Sequence, residues 1–490
     1  MNPLLLWANT GLFGLAVVAW FAFGIRRFWS PLFLYLVYHL LSFVIRPWLV
    51  SIRGDQDFLH TWIGIPTTWE DHEWTIVIAA LALIAFTSGS LYGENRARHR
   101  PVPRSARMLD ARTAVLVGAP LVVLGFLSLI VYGRTPWTAG QDSAQVVASG
   151  GMYTSVATTP SYITHSHLML SGVFIVWILV FGFRWRYFPL LLVFFVLITY
   201  QGAARTTYLV GVTALVVAHL VRNGRSRPSV GSMLPILVVL VSFISGKDWL
   251  YELVNGNREQ AAEYSSGGQE KLLAGEGELF LNYEMLVTMT YLVPEHAGHT
   301  TLAYYGKAIY QFIPRALWPD KPVFDQIVSY LVFNVPEVYL QGTIATLPGE
   351  AYVAFGPVGV VVILAGFGFG VSYLFGRSLR YPAASVECVL GIAVSMSCFQ
   401  VYRDGLISLT TYVLFYFGPA AIVWVASLVL GTATRQDLAL DAASDEPVTR
   451  PQPRPARIPS RSPFPSRGSS RGIDAGRSVL GLDRDSGASA

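Results

Sequence analysis

The chain is expected to fold as an all-α polytopic membrane protein with about eleven transmembrane helices. Three observations carry that expectation. Hydrophobic residues make up 53% of the sequence and charged residues 13%, roughly half the charge of an ordinary soluble domain. Apolar runs of about 20 residues recur, each long enough for a hydrocarbon core of about 30 Å. Basic, arginine-bearing connections also alternate with the others, as in a chain threaded repeatedly through a bilayer.

The spans fall at about 3–24, 30–50, 73–92, 113–132, 165–183, 187–202, 206–221, 231–246, 351–375, 383–402 and 406–431. The first has no basic leader and no small-residue cleavage site, so it is expected to be a retained helix. Arg26 and Arg27 follow the first span, and Arg96, Arg98, Arg100, Arg104, Arg107 and Arg112 follow the third. Arg184, Arg186, Arg222, Arg225, Arg227, Arg377 and Arg380 continue the alternation. The positive-inside rule then puts the N-terminus outside and the C-terminus in the cytoplasm.

The outer side receives 51–72, 133–164, the turn near 203–205, a large loop at 247–350 and the turn at 403–405. All four lysines (Lys247, Lys271, Lys307 and Lys321) lie in the large loop. Its segment 276–292 has apolar residues at helical spacing with acids between them. It is expected to form an amphipathic helix at the membrane surface, or else a packed loop helix. Residues 1–435 then form the transmembrane domain. From 436 to 490 the composition shifts to Pro, Ser, Arg, Gly and Asp, with too little apolar matter for a core, and a disordered cytoplasmic tail is expected.

Several chemistries are excluded. There is no phosphate-binding Walker loop, zinc-protease HExxH or nucleophile elbow. Cys388 and Cys398 share one span, ten residues apart, and suit neither a disulfide nor a metal site by themselves. The net charge of +5 follows the distribution of arginine and does not indicate nucleic-acid binding. No internal repeat is visible, which weighs against a transporter built on inverted repeats.

Charge at membrane depth is costly and by default marks a cavity or a partner, which singles out Arg46, Arg205, Arg315 and Arg403. Arg205 sits in Gln201-Gly-Ala-Ala-Arg-Thr-Thr207, a small-residue hairpin where a guanidinium can grip a diphosphate with two parallel hydrogen bonds. The alternative is an arginine snorkelling to the interface. Arg403 has Asp404 as an adjacent partner. Residues 313–322, Ile-Pro-Arg-Ala-Leu-Trp-Pro-Asp-Lys-Pro, combine three prolines with Arg315, Lys321, Asp320 and the stacking ring of Trp318. That is a stiff outer segment fit for an anionic or sugar-bearing substrate.

Glu350 opens a helix in Leu347-Pro-Gly-Glu-Ala-Tyr-Val-Ala-Phe-Gly-Pro-Val-Gly359. It can cap the helix dipole or serve as a general base. Gly356 and Gly359 are expected to allow close helix packing. Asp55-Gln-Asp57 matches a metal-binding DxD by only three residues. His39 is expected to make a hydrogen-bonded helix contact, and His165, His167, His296 and His299 lack a ligand set. Neither a metal nor a cofactor is expected.

These pieces resemble the bacterial O-antigen polymerase family, the Wzy-type oligosaccharide repeat-unit polymerases. The resemblance rests on Gly202-Ala-Ala-Arg205, Ile313–Pro322 and Gly349-Glu-Ala-Tyr-Val-Ala-Phe-Gly356, in that order, and covers about 30–430. It implies a GT-C-like bundle of the polymerase and ligase type with its site on the outer face. The implied donor and acceptor are undecaprenyl-diphosphate-linked glycans, with undecaprenyl diphosphate as leaving group. A chain-length regulator and a flippase are the implied partners. On that reading Arg205 and Arg315 bind the diphosphate, with Lys321, Arg403 and Arg46 in support. Glu350 or Asp320 is the base, and Trp318 stacks on a sugar. An O-antigen-ligase-like transferase shares the arginine hairpin, and a polysaccharide flippase is the alternative of a different class.

Overall fold

The structure, a computed structural model, describes residues 1–23, 29–54, 65–101, 105–134, 166–183, 189–190, 193–194, 205–225, 281–301, 305–306, 313, 317–318 and 345–437. The chain divides into two units, Met1–Leu440 and Asp441–Ala490. The second unit, where a disordered tail is expected, lies outside the described residues.

Most of the helices start where local chemistry demands. Helix α1 (Pro3–Ala22) has Pro3 at its first position, and the Asn2 side chain accepts from the Leu4 amide at 3.0 Å. Helix α2 (Pro31–Arg53) repeats the device with Ser30 and Pro31. Helix α3 (Trp69–His99) opens on a reciprocal capping box between Thr68 and Asp71, which starts it four residues before the expected 73. Strand β1 (Ser105–Met108) leads to α4 (Ala111–Arg134), then α5 (Ser166–Phe181), α6 (Arg205–Arg222) and α7 (Leu281–Leu292). Helix α8 (Leu347–Ser378), α9 (Val386–Asp404) and α10 (Ile407–Val429) follow, and strand β2 (Thr434–Asp437) closes the described chain.

Seven of these helices are long and apolar enough to cross a membrane: α1, α2, α3, α4, α8, α9 and α10. Helix α5 and the Val210–Arg222 part of α6 are shorter apolar helices. Nine of the eleven expected spans therefore coincide with a described helix, and those at 187–202 and 231–246 fall largely or wholly outside the described residues.

Two apolar clusters form the core. One joins α1, α2, α3, α7 and α8, and the other joins α4, α5, α6 and α10. Helix α9 contributes to both, which is why it is buried on nearly every side although it carries Ser395, Ser397 and Gln400. Helices α3 and α8 touch backbone to backbone. A Cβ at Gly89 or Gly93 would fall on the carbonyl of Ala365 or Phe369.

The arginine-rich ends gather at one end of the bundle. Arg98 donates to the Phe23 carbonyl at 2.8 Å, and Arg377 donates to the Pro101 carbonyl. Arg380 reaches the carbonyls of Ala97, Arg98 and Arg100. Strands β1 and β2 pair antiparallel there, with Ser105 opposite Asp437. The expected domain end at 435 cuts through that ladder. The ladder, with an isolated antiparallel bridge between Met108 and Ser385, is the departure from an all-helical fold among the described residues.

Candidate functional site

At the opposite end of the bundle, α8 is broken. Pro357 has no N–H, so the Val353 carbonyl four residues earlier cannot be satisfied within the helix. The Thr300 amide takes that carbonyl at 3.2 Å, and His299 Nδ1 lies 3.1 Å from it. At the break Phe355 leaves helical geometry, and Gly356 adopts φ +63° with ψ −153°, a region essentially reserved for glycine. Gly356 is thus required by backbone conformation, not by close helix packing as expected. Gly359 packs against the Ala351 carbonyl across the break. The expected continuous span at 351–375 is two pieces.

Residues 347–354, N-terminal to the break, are all buried, and Thr346 caps them by accepting from the Gly349 amide at 3.0 Å. Glu350 on this piece is fully buried. Its Oε2 accepts from the backbone amide of Leu406 at 2.7 Å. Between α9 and α10, Gly405 adopts φ +91°, and a Cβ there would land on the Glu350 carboxylate. Glu350 therefore does more than cap its own helix. It joins the start of α8 to the turn at the end of α9.

That turn carries Arg403 and Asp404. Arg403 Nε lies 3.5 Å from Asp404 Oδ1, and Gln400 donates to Asp404. The adjacent Tyr402 packs against Tyr38 of α2, with ring centroids 5.9 Å apart. Tyr402 also donates to the Pro31 carbonyl at 2.8 Å and packs edge-on to Tyr35, with ring centroids 5.1 Å apart. Helix α9 thus presents its last turn to the first half of α2.

The second half of α2 follows a π-helical stretch at Leu40–Ile45, an irregularity often found at functional sites. Within it, Ser42 accepts from Asn282 of α7 at 3.5 Å. One turn on, Arg46 forms a buried ion pair with Glu284, each about 1% exposed. His72 and Tyr283 lie 3.1 Å apart beside them. Helix α7 is accordingly buried along residues 282–290, Glu284 included, and is a core helix, not an amphipathic surface helix. Arg46 has a carboxylate partner, which a diphosphate ligand would have to displace.

An apolar groove of about 500 Å³ opens at the break, lined by Tyr305, Phe355, Val358, Gly359, Val362, Ile363 and Leu406. Phe355, Val358 and Val362 are exposed on the outside of the bundle. The groove thus meets, through Leu406, the residue whose amide engages Glu350.

The expected site residues fall into three classes. Arg46, Glu350 and Arg403 are buried within this region. Trp318 is 37% exposed, and Arg205 begins α6, its side chain outside the described residues. Arg315, Asp320, Lys321, Asp55 and Asp57 lie outside the described residues, as does His165. Among the other histidines, His167 is buried in the 3-10 turn at Ser166–Leu168 and His296 stacks on Tyr291 with centroids 5.1 Å apart. His39 is buried among Phe13, Tyr35 and Phe43, so the expected contact with another helix is made, but neither ring nitrogen is hydrogen-bonded among the described residues. Among the described residues no group of three or more His, Cys, Asp or Glu side chains is placed to hold a metal ion. Sequence reading missed Glu284, Tyr38 and Gly405, and it weighed His299 only as a metal ligand. The signals were present, in an acid inside an apolar run and a glycine between two spans.

Residues 279–381 match a family model described as a domain of unknown function, DUF8712. The match spans α7, the capping turn at His299 and Thr300, and the whole of broken α8. No curated protein matches the chain, and no solved structure does.

Proposed function

We propose that the protein is a membrane glycosyltransferase that joins lipid-linked oligosaccharide repeat units into a surface polysaccharide. The observation that supports this reading most is the apolar groove at the break of α8, whose wall residue Leu406 stands three positions from Arg403. A hydrocarbon carrier needs such a groove, and its diphosphate needs a cation close by. On this reading the prenyl chain of an undecaprenyl-diphosphate glycan lies along Phe355, Val358 and Val362. Arg403, with Arg205, Arg315 and Lys321, neutralises the diphosphate as it leaves.

The acceptor is the non-reducing sugar of a second lipid-linked repeat, with Trp318 as its stacking platform. Its hydroxyl loses a proton as it attacks the anomeric carbon, and the bond to the diphosphate oxygen breaks. We assign the base to Asp320, because the Glu350 carboxylate is enclosed and already accepts from Leu406. Arg46 is assigned to holding α7 through Glu284. The transfer is placed on the outer face of the bacterial plasma membrane, with the N-terminus outside and the C-terminus in the cytoplasm. Of the described buried charges, Arg46, Glu284, Glu350 and Arg403 lie at the end away from the arginine-rich connections, while Glu94 pairs with Arg98 at the other end. That distribution favours chemistry at one face over a through-going transport path.

Purified protein reconstituted with lipid-linked repeat units tests the reading. A ladder of lengthened lipid-linked products, formed without an energy source, is expected. Transfer of preformed chains to another lipid, without a ladder, would instead identify a ligase. No lengthening of any glycan would sink both. Arg205→Lys keeps the charge but loses the two-point grip, and should slow the ladder roughly 10²–10³-fold at matched protein level.

A further inference from the structure

We propose that Glu350 is a positioning residue whose buried carboxylate fixes the turn at Gly405 and Leu406 and so sets where Arg403 stands. Leu406 immediately precedes α10, where backbone N–H groups have no intrahelical acceptor. Such a group is usually satisfied by a nearby side chain. Here the acceptor comes from another helix 56 positions away in sequence, Glu350 Oε2 at 2.7 Å. The carboxylate reaches that amide only because residue 405 has no side chain. Gly405 is needed twice, for φ +91° and for the room that Glu350 fills.

Because the connection between α9 and α10 is only Gly405 and Leu406, anchoring it also anchors the last turn of α9. Arg403 stands two residues before the anchor, its guanidinium held at Asp404. A carboxylate enclosed in this way presents no face to an acceptor hydroxyl, so its influence on the reaction passes through Arg403. This inference rests on the reading of Arg403 as a diphosphate-binding group.

The experiment uses full-length protein in detergent, with Cys388 and Cys398 replaced by Ala and Leu406→Cys as the reporter. In Glu350→Ala the reporter thiol should react with a maleimide about tenfold faster, and inorganic pyrophosphate should bind about tenfold more weakly. Glu350→Gln retains an oxygen that accepts from the residue 406 amide, and should restore both values. Gly405→Ala reaches the same contact from the other side and should speed labelling with the carboxylate intact. Equal labelling rates in the parent and in Glu350→Ala would overturn the proposal. So would a Glu350→Gln protein that labels like the parent yet polymerises roughly 10²–10³-fold more slowly, because the charge would then act in the chemistry. If labelling responds as expected while the parent neither binds pyrophosphate nor lengthens lipid-linked glycans, the positioning role stands and the glycosyl-transfer reading falls.

Discussion

Arg46 and Arg403 look alike in the sequence, each an arginine at the same end of a span, but their surroundings differ. Arg46 is about 1% exposed and paired with Glu284, while Arg403 is 8% exposed and lies against Asp404. Removing one partner of a buried pair strands the other charge. Arg46→Ala or Glu284→Ala should therefore cost about 3–5 kcal/mol, and the double replacement Arg46→Met with Glu284→Leu much less. Chemical denaturation in detergent measures the difference; equal losses in the single and double variants would refute the structural role. Asp110 offers a prediction about pH at the other end of the bundle. Its carboxylate accepts from the Thr113 amide and hydroxyl, both at 2.8 Å, and these bonds hold its pKa below the usual carboxylate value. Because the folded pKa is depressed, the stabilisation is present above the unfolded value of about 4 and is lost as pH falls through the folded one. Hydrogen exchange at the Thr113 amide should accelerate below about pH 4, and Asp110→Asn should flatten that dependence.

At the scale of elements, the break in α8 shapes the site. The three consecutive residues Phe355, Gly356 and Pro357 produce it: a non-helical phenylalanine, a glycine at positive φ and a proline with no donor. Gly356→Ala should cost about 1–3 kcal/mol, because a Cβ is strained at φ +63° with ψ −153°. If it does not lower thermal stability, the break is not the preferred local geometry. The segment at His299 and Thr300, far away in the sequence, satisfies the carbonyl that Pro357 orphans. The residues matched by the family model, 279–381, include both the break and its cap. Helix α7 teaches the converse lesson. Its acid-bearing pattern reads as a polar face, but the acid is paired inside the core.

At the scale of the whole molecule, the arginine-rich connections meet at one end and the described buried charges of the candidate site at the other. The β1–β2 ladder ties the connection after α3 to the chain leaving α10. Truncation after residue 440 should leave thermal unfolding of the membrane unit nearly unchanged, whereas truncation after 433 removes β2 and should lower it. Equal effects of the two truncations would mean that the ladder contributes nothing.

Helix existence was legible in the sequence because apolar length and terminal proline, serine and threonine residues are local signals. Nine expected spans coincide with described helices for that reason. The alternation of arginine was also legible, since it depends on loop composition alone. What the sequence could not show is which polar groups meet. Arg46 and Glu284 are 238 residues apart, and Glu350 and Leu406 are 56 apart; no periodicity connects either pair. Only packing decides such contacts, because a buried charge or an unsatisfied amide selects its partner by proximity in three dimensions, under the penalty for remaining alone.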